Sequence, residues 1–162
     1  MKKLFLTLFI LTVIILPVIS QTVIKSGVEI NHIPNSFYGS WRVVSVLTST
    51  NTENMFRQKN VDFWNLSRAG NIITLENPFS GASQTITVKN AKSNFIKFVK
   101  VGNYSGKRLT DEVTINLGKD SFWGVNQLKL ETVSDIDGHI MKTDFATYNI
   151  KGEKLSGTSI GE

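Results

Sequence analysis

The sequence predicts an all-β domain, an antiparallel meander of about 8 to 10 strands closed or nearly closed into a barrel, with a β-sandwich as the alternative. Short runs of β-branched and aromatic residues recur with alternating polarity, and Gly, Asn and Asp punctuate them at near-regular spacing. No segment sustains a helical period. A meander this long tends to close, because closure removes the exposed edges that invite aggregation.

The first strand is expected over Tyr38 to Thr48, where Trp41, Val43, Ser45 and Leu47 share one parity and Arg42, Val44 and Val46 the other. Polar residues from Ser49 to Asn60 then read as a loop or short helical turn. Val61 to Ser67 and Ile72 to Glu76 flank Arg68-Ala69-Gly70-Asn71, in which Gly70 and Asn71 suit the positive φ angles of a tight hairpin. Asn77 to Gly81 is a second turn, followed by strands over Gln84 to Lys89 and Asn94 to Val101 and a loop over Gly102 to Gly106. Leu109 to Leu117 alternates Val113, Ile115 and Leu117 with Glu112, Thr114 and Asn116, and Gly118-Lys119-Asp120 turns it into Ser121 to Val133. Asp137-Gly138 predicts a type I′ turn into His139 to Ile150. Lys151-Gly152-Glu153 then reads as a turn into a last strand near Lys154 to Ile160.

The start of the chain has a different character. Lys2 and Lys3 precede an uncharged apolar run, Leu4 to Leu16, the length of a signal h-region and too short to span a bilayer comfortably. Val18-Ile19-Ser20 places cleavage near Ser20/Gln21, so residues 1–20 are expected to be a signal peptide, 21–36 an N-terminal lead-in and 37–162 a single β-barrel domain. The exported protein would be periplasmic or extracellular, with no membrane span in its mature form. The Lys-Lys, Leu/Ile-rich leader is bacterial in character, so Asn65-Leu66-Ser67 and Asn103-Tyr104-Ser105 are not expected to act as glycosylation sites.

Composition narrows the function classes. Of 18 basic residues, Lys2 and Lys3 leave 16 against 13 acidic, a mild excess spread along the chain, so no nucleic-acid footprint is expected. There is no cysteine, which removes disulfides, thiol catalysis and thiolate metal sites.

Gly39-Ser40-Trp41, on the first strand, resembles the G-x-W motif of the lipocalins and other calycin barrels. That resemblance implies an up-and-down barrel with Trp41 plugging one end beneath a basic residue near the last strand. Lys154 is the nearest match, although the family generally has Arg. Thr143-Asp144-Phe145 is similar to the family's T-D-Y motif but lies too near the C-terminus to correspond.

No catalytic or metal site and no cofactor are expected. Gly157-Thr158-Ser159-Ile160-Gly161 fits the G-x-S-x-G pattern, yet only Glu162 follows where that chemistry needs an acid and a histidine. Asp135, Asp137 and His139 read as an Asp-rich turn, because their spacing fails the calcium-loop pattern. His32 falls in the lead-in. Aromatic residues are the remaining candidates. Trp41, Phe63, Phe95, Trp123 and Phe145 would line an apolar ligand site if they faced a partly hollow barrel, and would fill the core otherwise. The function expected is therefore an exported small binding protein that holds an apolar small molecule or lipid. The alternative is a cell-envelope structural or protein-interaction module whose partner is an envelope protein.

Overall fold

The computed structural model describes residues 33–157 and 159–161. The signal segment, its cleavage point near Ser20/Gln21, His32 and most of the lead-in lie outside the described residues. Eight long strands follow one another as an antiparallel meander: β1 (Gly39–Thr50), β2 (Lys59–Ala69), β3 (Ile72–Glu76), β4 (Ser83–Lys92), β5 (Phe95–Tyr104), β6 (Lys107–Leu117), β7 (Ser121–Val133) and β8 (Ile140–Ser156). β1 bonds to both β2 and β8, which closes the sheet into a barrel. A short ninth strand, β9 (Ser159–Gly161), runs parallel to the end of β2, where β1 has not yet begun. Closure leaves few unpaired edge groups in the wall. The only helical element among the described residues is a single 3₁₀ turn, Asn35–Phe37.

The alternation read from the sequence sets which residues face inward. Trp41 and Val43 on β1, Trp64 and Leu66 on β2, Ile96 and Phe98 on β5, and Val113, Ile115 and Leu117 on β6 share the buried core. Their odd or even partners face solvent, as the two-residue period of a strand requires.

Several boundaries differ from expectation. Strand β8 does not turn at Lys151-Gly152-Glu153 but runs on to Ser156, and Gly152 sits within it. The reason is packing. A Cβ at position 152 would meet the Phe122 ring at 2.2 to 2.6 Å, so glycine here makes room for an aromatic ring on the neighbouring strand. The predicted last strand over Lys154 to Ile160 is thereby divided between the end of β8 and β9.

The loop expected from Gly102 shrinks to Ser105-Gly106, because β5 continues to Tyr104. Around Asp137-Gly138 only Gly138 has a positive φ, and Ser134 accepts from the Gly138 amide while donating its own to the His139 carbonyl. That is a wider loop than a type I′ turn, which needs two positive φ angles. The Gly70-Asn71 hairpin is a two-residue turn, with positive φ at Gly70 alone.

The two ends of the barrel are built differently. At the end where β1 starts, residues 33–38 fold under the barrel and bury Phe37 and Tyr38 completely beside Trp41. Trp41 packs on Phe122, which stacks on Trp64, while Phe37 and Trp64 both meet Phe98. Each such ring buries about 150 to 250 Å² and contributes about 5 kcal/mol of gross transfer free energy. Gly39 is required by the same crossing, since its φ is +108° and a Cβ there would stand 1.8 Å from the Gly157 carbonyl oxygen. We call this the plug end. At the opposite, loop end lie the β1–β2 loop and the loops β3–β4, β5–β6 and β7–β8.

Candidate binding site

Within the barrel, the apolar fill stops part way toward the loop end. On the inward parity of β6, the residue preceding Val113 is Asp111; on β5, the residue following Phe98 is Lys100. The two are register partners, and Lys100 Nζ lies 2.7 Å from Asp111 Oδ2. Asn126 shares the inward parity of Phe122 on β7 and stands beside Asp111. From β2, Asp62 and Trp64 face this group: Trp64 Nε1 donates to Asp62 Oδ2 at 3.0 Å, and Lys100 Nζ lies 5.7 Å from the Trp64 ring centroid. Asn77, from the β3–β4 loop, donates to the other oxygen of Asp62 at 2.5 Å.

Electrostatics mark this layer as unusual. Asp111 is 4% exposed, and burial pushes its carboxyl above the usual carboxylate range, with Lys100 and Asn126 opposing the rise and the charge of Asp62 adding to it. Among the described residues, three buried side-chain polar atoms have no partner within hydrogen-bond distance: the Tyr38 hydroxyl in the plug, which has Arg68 beside it, Asp111 Oδ1, and Asn126 Oδ1, whose own amide interacts with the Asp111 carboxyl. The last two are acceptors on adjacent strands facing the same interior. Leaving a buried acceptor unpaired costs about 1 to 3 kcal/mol, so their coincidence makes this layer the candidate site. Lys100 keeps 19% of its side chain exposed, so solvent reaches the layer.

The β1–β2 loop folds over this end and is tied to β8. Asn51 donates from Nδ2 to the Thr143 carbonyl at 3.1 Å and accepts the Phe145 amide at 2.6 Å. Thr52 donates its hydroxyl to Asp144, which also holds Lys142 Nζ at 2.9 Å; these bonds keep the Asp144 carboxyl below its usual range. Tyr148 donates to the Arg57 carbonyl at 3.1 Å, and Phe56 packs against the core.

The residues nominated from sequence are scattered by the barrel's parity. Trp41 is inside, fully buried in the plug, with its Nε1 donating to the Phe37 carbonyl at 3.0 Å. Lys154, its register partner, places Nζ 5.0 Å from the Trp41 ring centroid and donates to the Ser36 carbonyl at 2.9 Å. Gly39 opens β1 two residues before Trp41.

Phe63, Phe95, Trp123 and Phe145 do not line the interior. Each is adjacent in sequence to an inward residue, Trp64, Ile96, Phe122 and Ala146, so strand alternation turns it outward. Phe63 packs on Phe79 on the outer surface, and Trp123 and Phe145 are about half exposed. Asp111, Lys100 and Asn126, which the sequence reading passed over, take the interior instead. Their signal was a polar residue on the apolar parity of a strand.

Other clusters are explained by local structure. Glu131 is buried on the outer wall beneath Arg108 and Lys129, at 2.7 and 2.9 Å, and these hydrogen bonds hold its carboxyl below the usual range. An open concavity of about 400 Å³ lies beside it at the β5–β6 hairpin, lined by Asn103, Ser105, Gly106, Lys107, Arg108 and Val133. Because Arg108 is committed to Glu131, the interior layer is the stronger candidate. Asp137 accepts from the His139 amide and meets the His139 ring within its own loop, and no group of three or more metal-ligating side chains gathers among the described residues. Gly157 to Gly161 leads into a strand on β2, not the strand-turn-helix of a nucleophile elbow. No helix among the described residues is long and apolar enough to cross a membrane. Comparison with protein-family models, with curated proteins and with solved structures finds no match to this chain.

Proposed function

We propose that the protein is a small-molecule-binding barrel of lipocalin-like design, exported to the periplasm or the exterior, which takes its ligand at the loop end. The observation that carries this reading is the change of interior from aromatic plug to polar layer. One end is shut by Phe37, Tyr38 and Trp41 under Lys154, while the other presents buried, partly unpaired polar groups below a loop. A ligand site of this type combines apolar walls with a few converging polar groups. Gly39-Ser40-Trp41 with Lys154 over the ring supports the lipocalin-like part of the proposal. The leader, Lys2 to Ser20, supports export.

Titration of an apolar fluorescent probe into the purified protein tests it. Saturable binding with quenching of Trp64 is expected, and Leu128→Trp, which fills the inward parity of β7 next to Asn126, should abolish it. A flat response in the unmodified protein would reject the reading. A second reading, an envelope interaction module, is favoured by one feature: Trp123 stands 55% exposed on the outer wall with Val125 on the same face of β7. Trp123→Ser would then impair partner capture and leave probe binding unchanged.

A further inference from the structure

We infer that the loop-end interior binds a small primary alkylammonium ion, with its charged head on Asp111 and Asn126. This rests on the reading that the barrel takes a ligand there, and adds the chemistry of that ligand. Asp111 Oδ2 is occupied by Lys100, whereas Asp111 Oδ1 and Asn126 Oδ1 are both buried without partners. Two orphan acceptors call for donors. An ammonium supplies three N–H donors in a compact head, an alcohol supplies one O–H, and a carboxylate supplies none.

Charge makes the same selection. With Asp111 ionised, a form that an added ammonium favours, Asp111 and Asp62 place two carboxylates in the layer against the ammonium of Lys100. The third inward carboxylate at this end, Asp144, is already paired with Lys142. One further cation balances the set, and an anion would add to the surplus. The Trp64 ring, stacked on Phe122, already faces one cation, Lys100, so an indole borders the place where positive charge is held. On the mouth side of the layer an aliphatic body would meet Leu47, Leu128 and Phe56, partly buried apolar side chains packed against the core.

Nuclear magnetic resonance of the purified protein separates the alternatives, with n-hexylammonium, 1-hexanol and hexanoate as probes. The indole N–H of Trp64 reports the layer, because it bonds to Asp62, and that of Trp41 is the control, because it bonds to Phe37 in the plug. A saturable shift at Trp64 is expected, with hexylammonium binding at least about ten-fold tighter than hexanol and hexanoate weakest. Asp111→Asn should weaken hexylammonium by about ten-fold or more; should that variant not fold, Asn126→Leu serves, with a loss of about five-fold. Hexanol or hexanoate binding at Trp64 as tightly as hexylammonium would overturn this inference and leave the ligand-binding barrel standing. Failure of all three to move Trp64 would overturn both. A hexylammonium shift unchanged in Asp111→Asn and in Asn126→Leu would show adsorption elsewhere and overturn the inference alone.

Discussion

The plug end and the loop end of this barrel use the same strands for opposite purposes. Toward the plug, Trp41, Phe122, Trp64 and Phe98 interlock around ring contacts of 5.1 to 6.3 Å, and the indole donors of both tryptophans are satisfied. A few residues further along the same strands, the inward positions become Asp62, Lys100, Asp111 and Asn126, with two buried acceptors unpaired. The first arrangement maximises burial. The second carries a desolvation cost that packing does not require, and groups retained at such a cost are the ones to examine for binding.

The largest effect expected is at the plug. Trp41→Ala should cost about 3 to 5 kcal/mol, leaving the protein unfolded or nearly so in denaturant titrations. Lys154→Ala should cost about 1 kcal/mol or less, and a double-mutant cycle with Trp41→Phe should show coupling above about 0.5 kcal/mol. Additive losses would detach Lys154 from the plug. Gly152→Val should follow at about 1 to 3 kcal/mol, because the new side chain enters the Phe122 ring. A neutral outcome would show that the plug is looser than its ring contacts imply.

At the loop end, Lys100→Met alone should destabilise by about 1 to 3 kcal/mol, since it strips Asp111 of its charged partner. The pair Lys100→Met with Asp111→Leu should recover that loss or exceed it, as apolar replacement of buried ion pairs often does. If the double variant is the less stable, the polar layer is structural and the contrast between the two ends disappears.

The smallest effect is in pH dependence. The Asp111 carboxyl is raised above its ordinary value of 3.8, so the folded state keeps a proton that the unfolded chain has lost. Its contribution is full below pH 3.8 and fades as pH rises through the native value. Asp144 is lowered and acts in the opposite sense: its contribution is present above pH 3.8 and is lost as pH falls through the native value. Asp111→Asn should therefore remove the decline on the alkaline side of 3.8, and Asp144→Asn the decline on the acid side. Denaturant midpoints measured across the acid range decide both.

Much of this architecture is legible in the residues. The turn at Gly70-Asn71 and the alternation of Val113, Ile115 and Leu117 identify a hairpin and a half-buried strand from local chemistry alone. Gly152 misleads, because a glycine that makes room for Phe122 looks the same in sequence as a glycine that turns the chain. The aromatics mislead for a related reason. Adjacent pairs such as Phe63-Trp64 and Phe122-Trp123 must point to opposite faces, and only the register across strands decides which member is inside. The polar layer was within reach, since Asp111 continues the inward parity of β6. Recognising it required extending that alternation one step past Val113 and pairing it with Lys100 on the next strand.

The seam between β1 and β8 bears on how the barrel is made. It joins the first and last long strands, and the bond from Lys154 to Ser36 spans 118 positions of sequence. Every other long-strand pairing in the wall links neighbours in the chain and can form early as a hairpin. The seam cannot, because its two strands stand at opposite ends of the meander, and closing so long a loop is entropically costly. Folding should be slow for the domain's size, in keeping with the high contact order of closed β structures. Until β8 pairs, Trp41 lacks its neighbour Lys154 on one side, and the wall of the barrel stays open along that strand.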